Sequence, residues 1–100
     1  MKFVVLFEDN SGLGSAVRSE HMPQHLNFLE TNKNKILAAG PLSSTDGTGA
    51  GGLWLVETDT EEVVHTLVRQ DPFWPTGLRK SVKVLGWNQV FADGQRLIKG

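Results

Sequence analysis

Short apolar runs separated by turn-forming residues set the rhythm of the chain. The first run, Lys2–Phe7, is dense in β-branched and aromatic residues and stops at Asp9-Asn10-Ser11-Gly12, which reads as a buried strand. Ser11–Arg18 reads as a glycine-bearing loop, with room for a helical turn from Ser15. Pro23 then marks the start of a helix, because proline is best tolerated at the first helical position, where its missing N–H costs nothing. Leu26, Phe28 and Leu29, with Met22 at the edge, give that helix an apolar face, and the polar run Thr31-Asn32-Lys33-Asn34 ends it. Ile36–Ala39 reads as a second strand stopped by Gly40-Pro41. Ser43–Gly52, rich in glycine, serine and threonine, reads as a mobile connection over a site. Gly52–Glu57 is a third strand carrying Leu53, Trp54, Leu55 and Val56.

Thr58 or Asp59 is placed to cap a second helix, with Glu61 and Glu62 in its first turn, where the helix dipole favours carboxylates. Val63, Val64, Leu67 and Val68 form its buried stripe. Pro72 stops it, because the residue before a proline is pushed out of the α region. Ser81–Trp87 alternates as a fourth strand, with Val82, Val84 and Gly86 on one side and Lys83, Leu85 and Trp87 on the other. Val90-Phe91 and Leu97-Ile98 flank a turn at Asp93-Gly94 and either extend that strand or make an edge hairpin.

The order βαββαβ predicts an α+β, ferredoxin-like fold: an antiparallel sheet with both helices on one face, in a single domain over residues 1–100. The strands carry apolar residues on both faces, and the helices cover only one. A second copy is therefore expected on the other face, through Trp54 or Trp87 and the valines of strands one and four. A homodimer also suits a domain this small, which buries only about 60% of its unfolded surface.

Charge and composition narrow the function. The formal net charge of −1 gives no pull toward nucleic acid or an anionic membrane, and neither is an expected partner. The apolar start at Met1–Phe7 breaks off at Glu8-Asp9, too early for a signal peptide, and no run approaches the roughly 20 residues of a membrane span. The absence of cysteine rules out disulfides and thiol chemistry and fits a cytoplasmic location.

Two ionisable residues sit where their helices do not favour charge. His25 falls near the start of the first predicted helix, where the dipole disfavours an imidazolium and leaves a neutral ring able to accept a proton. Asp71 falls at the end of the second, where the dipole disfavours a carboxylate. Each has a simpler explanation, His25 as a surface or capping residue and Asp71 as a helix-stop aspartate bonded to nearby backbone. As a dyad they would lie within about 2.6–3.2 Å, or be bridged by one water, with Asp71 orienting the ring and stabilising its cation. Phe73-Trp74-Pro75 offers aromatic walls beside that carboxylate, as small-ligand sites require, although a satellite core explains either ring as well.

His21 and His25 are spaced like helical metal ligands, but Pro23 separates them and no third ligand lies nearby, so no metal site is expected. Gly12-Leu13-Gly14-Ser15-Ala16-Val17 echoes a dinucleotide loop without its last glycine, in a chain too short for the paired nucleotide-binding fold.

These residues resemble the YCII-related family. The matching pattern is Pro23-x-His25-Leu26-x-x-Leu29, the strand end Ala39-Gly40-Pro41, the strand start Gly51-Gly52, and Asp71-Pro72-Phe73. The resemblance implies a ferredoxin-like fold assembled as a dimeric α+β barrel, with a histidine–aspartate active pair mapping onto His25 and Asp71. One branch of the family is similar to enzymes that remove chloride from a chlorinated hydroxyquinol. Some relatives carry arginine three residues before the histidine, where this chain has Met22, which leaves Arg18 or His21 to meet an anionic group.

The expectation is a small homodimeric enzyme of lyase or isomerase type acting on a small cyclic or aromatic metabolite. His25 would move a proton and Asp71 would hold its tautomer. Trp54, Phe73 and Trp74 would enclose the ring, Arg18 or His21 would meet an anionic group, and proton transfer of this kind needs no cofactor. The alternative is a non-catalytic ligand-binding or accessory dimer using the same cleft. A haem- or oxygen-using barrel is a third reading and requires an axial ligand.

Overall fold

The computed structural model describes residues 1–10, 12 and 14–99. Ser11, Leu13 and Gly100 lie outside the described residues, and with them part of the loop expected at Ser11–Arg18 and of the stretch that echoes a dinucleotide loop. The elements run β1 (Lys2–Asp9), α1 (Gly14–Thr31), β2 (Ile36–Ser43), β3 (Gly49–Glu57), α2 (Glu61–Gln70), a 3₁₀ turn (Trp74–Thr76), β4 (Arg79–Gly86), β5 (Phe91–Ala92) and β6 (Gln95–Arg96). The main sheet has the order β2-β3-β1-β4, with every neighbour antiparallel, which is the ferredoxin-like arrangement. The final pair, β5 and β6, forms a separate two-stranded hairpin turning at Asp93-Gly94, where both residues have positive φ.

Strict alternation divides β1 between two faces. Phe3, Val5 and Phe7 are buried, and their cross-strand partners Val56, Trp54 and Gly52 lie on the same side. This face meets Val64, Leu67 and Val68 of α2 and the partly buried Phe28 and Leu29 of α1. The opposite face carries Val4, Leu6, Leu53 and Leu55, all half-exposed, and the more exposed Leu85. Trp54 is therefore not on the open face: it is 2% exposed in the helix-covered core, with Phe7 edge-on at 5.1 Å. Val5, Val82 and Val84 likewise face the helices, so Val4 is the one valine of these two strands left on the open side. Trp87 follows β4 and is exposed.

The largest departure from expectation is α1. It begins nine residues before Pro23 and carries that proline inside it. An interior proline loses a hydrogen bond and crowds the preceding turn, at a cost of about 3 kcal/mol. Tertiary contacts on both sides of it hold the helix: Arg18 before it bonds Asp9 and the Gly51 carbonyl, and after it His25 bonds Asp71 while Phe28 and Leu29 pack on the core. His25 is thus in the second half of α1 rather than at its start, and the dipole argument does not apply to it.

The β2–β3 hairpin is also longer than expected. β2 continues through Gly40-Pro41 to Ser43 and β3 starts at Gly49, which leaves Ser44–Thr48 in place of a ten-residue loop. β2 is an edge strand, where proline's missing N–H leaves no ladder bond unmade. Thr60 rather than Thr58 or Asp59 occupies the N-cap of α2, with no side-chain cap bond. β4 starts at Arg79, two residues before the expected Ser81.

Candidate functional site

The polar cluster lies at the end of the helix-covered face where alternation along β1 passes from Phe7 to Asp9. A bulge between Glu8 and Asp9 shifts the register with β4, so that Glu8 pairs with Ser81 but Asp9 pairs with Arg79. Without the bulge, the alternation of Val84 and Val82 would bring Lys80 to this position; with it, Arg79 takes the inward place. Arg79 Nη1 donates to Asp9 Oδ1 at 3.3 Å, and Nη2 lies 3.9 Å from Asp71 Oδ2. Its guanidinium sits 4.1 Å from the Phe7 ring centre and 5.4 Å from that of Phe73.

Asp71 is the C-cap of α2, in extended conformation, with its N–H bonded to the carbonyls of Leu67 and Val68. Pro72 forces that extended geometry and turns the carboxylate inward. Its Oδ1 accepts from the Phe73 N–H at 3.2 Å and meets His25 Nδ1 at 2.8 Å. Both residues are buried, His25 at 7% and Asp71 at 2% exposure overall. Phe73 is fully buried and stacks on the imidazole at 4.3 Å with an interplanar angle of 27°. The carboxylate thus fixes the ring's edge, and the phenyl group fixes its plane.

An ionised carboxylate only accepts, so opposite it Nδ1 donates, and in the neutral form of the ring the free lone pair then falls to Nε2. Among the described residues Nε2 has no hydrogen-bond partner, and it is not a fully enclosed unpartnered atom. It belongs to the His25 edge that lines a cleft of about 100 Å³. Met22, Leu26 and Leu29 of α1 form one wall of that cleft, Ala39–Pro41 of β2 another, and Trp54 lies beneath. Arg18 and Arg79 supply the cationic end.

Arg18 is in α1, not in a loop. Its Nη2 donates to Asp9 Oδ2 at 2.8 Å and to the Gly51 carbonyl at 3.1 Å. Gly51 has φ +118, and a Cβ there would fall 1.8 Å from the Phe7 carbonyl oxygen, so only glycine fits the backbone that presents its own carbonyl to Arg18. Arg18 and Pro41 also border a larger, more polar groove of about 660 Å³ between the β1–α1 connection and the β2–β3 hairpin.

The structure brings His25, Asp71, Phe73, Arg18 and Trp54 together. Phe73 backs the imidazole instead of lining the cleft. His21 and Trp74 do not line it: His21 is half-buried elsewhere on α1, and Trp74 is 41% exposed in the 3₁₀ turn. Sequence reasoning passed over Asp9 and Arg79. Asp9 was signalled by the series Phe3, Val5, Phe7, Asp9, which places a carboxylate on the core face. Arg79 had no such signal, because the bulge that turns it inward leaves no mark in the sequence. Among the described residues no group of three or more histidine or acidic side chains is placed to hold a metal ion, and no helix is long and apolar enough to cross a membrane.

Fold and site together define an α+β domain of ferredoxin-like topology with a buried histidine–aspartate pair beside a small apolar cleft. The chain belongs to the YCII-related family, whose domain model matches residues 1–88. It is similar to the 5-chloro-2-hydroxyhydroquinone dehydrochlorinase of Burkholderia phenoliruptrix AC1100, solved in complex with 2,5-dihydroxybenzoquinone. The two share 30% identity with a TM-score of 0.74, over 88% of this chain and 94% of that one. It is also similar to a hypothetical protein of Arabidopsis thaliana solved in solution, at 16% identity and a TM-score of 0.54, covering 92% of this chain and 89% of that one. The second likeness is one of fold alone. No curated protein sequence matches the chain.

Proposed function

We propose that the chain is a lyase- or isomerase-type enzyme that acts on a small cyclic or aromatic metabolite by proton transfer at His25. The observation that carries this reading is the buried 2.8 Å bond between His25 Nδ1 and Asp71 Oδ1, which leaves Nε2 as the ring's free base on an apolar cleft. Nε2 takes a proton from a C–H or O–H group of the bound ring. In an elimination, the electrons so released form a new double bond, and the leaving group departs with its bonding pair. In an isomerisation, the imidazolium returns the proton to a different atom. Asp71 keeps the ring in the required tautomer and stabilises the cation that forms. Arg18, anchored by Asp9 and the Gly51 carbonyl, is placed to meet a phenolate, carboxylate or departing halide.

The similarity to a dehydrochlorinase of a hydroxylated ring supports the elimination chemistry and the substrate class. A cleft of about 100 Å³ is below the usual range for a ligand site, about 300–1,000 Å³, and the adjoining groove gives ring substituents somewhere to extend. The functional unit in this reading is a homodimer, with the half-exposed leucines of the sheet's open face covered by a second copy. Sedimentation showing monomer alone at micromolar concentration would remove that part of it.

The test is turnover of chlorinated hydroxyquinols, read as chloride release and as the absorbance of the quinone product, with the unchlorinated ring, which has no leaving group, as the control that yields neither. Catalysis that needs His25 and Asp71 supports the enzyme. Tight binding of such rings with no turnover of any of them supports the alternative, a ligand-binding or accessory dimer.

A further inference from the structure

The guanidinium of Arg79 occupies an unusual position for a residue outside the first contact with the imidazole. Its side chain is only 4% exposed, it lies between two phenyl rings, and it spans two carboxylates that belong to different elements. Asp71, itself buried, has its Oδ1 committed to His25 and Phe73, so Arg79 is the cation facing its other oxygen. A buried carboxylate needs such a partner to offset the loss of water. Asp9 bonds Arg79 through one oxygen and Arg18 through the other. The five groups make a continuous series, Arg18–Asp9–Arg79–Asp71–His25, in which two cations and two anions alternate up to the imidazole.

The geometry points to Arg79 as the positioning residue of the dyad: by bridging Asp9 and Asp71 it holds the Asp71 carboxylate where it fixes the Nδ1–H tautomer of His25 and so leaves Nε2 free to take a proton. The inference rests on the reading of His25 as the proton acceptor and names what keeps it in that state. Stability alone does not account for the placement. The Arg79 Nε is enclosed and has no hydrogen-bond partner, a costly arrangement for a guanidinium. Burial, and then the neighbouring Arg18, push the Arg79 pKa down, while Asp71 and Asp9 raise it. A cation kept here against those costs is one that its two carboxylates require. A methionine of similar length would fill the space between Phe7 and Phe73 without them.

The test is the tautomer of His25, read from two-bond ¹H–¹⁵N correlations of the intact, histidine-labelled protein without substrate. His65, bonded to Glu61 on the exposed side of α2, serves as the internal control. In the parent protein His25 shows the Nδ1–H form alone. In Arg79→Met that single-tautomer pattern is lost, with at least half the population moving to the Nε2–H form or to exchange, while His65 keeps its signals. Arg79→Lys, which retains charge but cannot bridge both carboxylates from between two rings, recovers the pattern only in part. An unchanged His25 pattern in folded Arg79→Met overturns the proposal. Should that variant not fold, Arg79→Lys decides: a pattern identical to the parent overturns the proposal, and a mixed one upholds it. The readout is independent of turnover. A parent protein that shows the fixed tautomer but converts nothing counts against catalysis and not against Arg79. An active enzyme whose tautomer ignores Arg79 counts the other way.

Discussion

Two histidine–carboxylate pairs of nearly equal length occur in this molecule. His25 and Asp71 meet at 2.8 Å, and His65 and Glu61 meet at 2.9 Å. The second pair lies one turn apart along α2, with side chains 41% and 60% exposed. The first joins the middle of one helix to the end of another, 46 residues away in sequence, with side chains 9% and 3% exposed. Distance alone does not distinguish them; water does. The surface pair exchanges its bond with solvent and is screened by it, so it contributes a few tenths of a kcal/mol. The buried pair has a ring stacked behind it, an arginine beside it and one free nitrogen on a cleft. What separates a helix-surface contact from a site is that His25 is held at its edge by a carboxylate and in its plane by a ring, and faces a cleft instead of bulk water.

That contrast can be broken most severely at Asp71. Asp71→Ala removes the acceptor from His25 and leaves the Arg79 guanidinium with one carboxylate instead of two. The expected loss is about 2–4 kcal/mol in urea unfolding, because the His25 ring and the Phe73 N–H, both buried, lose their acceptor. A loss under about 1 kcal/mol would show that the pair is no more than a surface contact in a different place.

A smaller effect is expected where the backbone frames the site. Gly51→Ala places a methyl group against the Phe7 carbonyl at a φ that alanine avoids. The penalty is on the order of 1–3 kcal/mol, and it displaces the carbonyl that holds Arg18. Affinity for an anionic ring ligand should fall with it, read by calorimetry at a temperature where the variant remains folded. Retained affinity would detach Arg18 from ligand binding.

The smallest effect sharpens the comparison from the other side. Glu61→Gln removes the charge from the surface pair and should change stability by no more than about 0.5 kcal/mol, with no effect on ligand binding or turnover. A change as large as that of Asp71→Ala would mean that exposure does not separate the two pairs.

Much of this arrangement was legible in the sequence. The alternation of β1 and of Val82, Val84 and Gly86, the stripe of α2 and its stop at Pro72 gave the strand and helix order, and the topology followed from it. The pairing of His25 with Asp71 came from chemistry and resemblance together. His25 does not sit at a helix start: the local preference of Pro23 for the first helical position yields to tertiary contacts that carry α1 through it. Trp54 was misassigned for a related reason. In a run as uniformly apolar as Leu53-Trp54-Leu55-Val56, only the register with β1 tells which side faces the helices. Arg79 was invisible because a one-residue bulge decides whether it or Lys80 turns inward. The sequence patterns therefore carried the elements, whereas the site depended on register, which pairing sets and propensity does not.

The central claim is that His25 exists to move a proton. The most direct measurement is turnover of a hydroxylated ring substrate by His25→Asn, set beside its melting temperature and its assembly state. Asparagine fills much of the same space and can still donate to Asp71, but it offers no base at the Nε2 position. The account predicts a fold and an assembly close to the parent's, with kcat lower by about 10²–10⁴-fold. Turnover within a few-fold of the parent, or activity that falls only as the folded fraction falls, would show that His25 is a structural residue and that the catalytic reading is wrong.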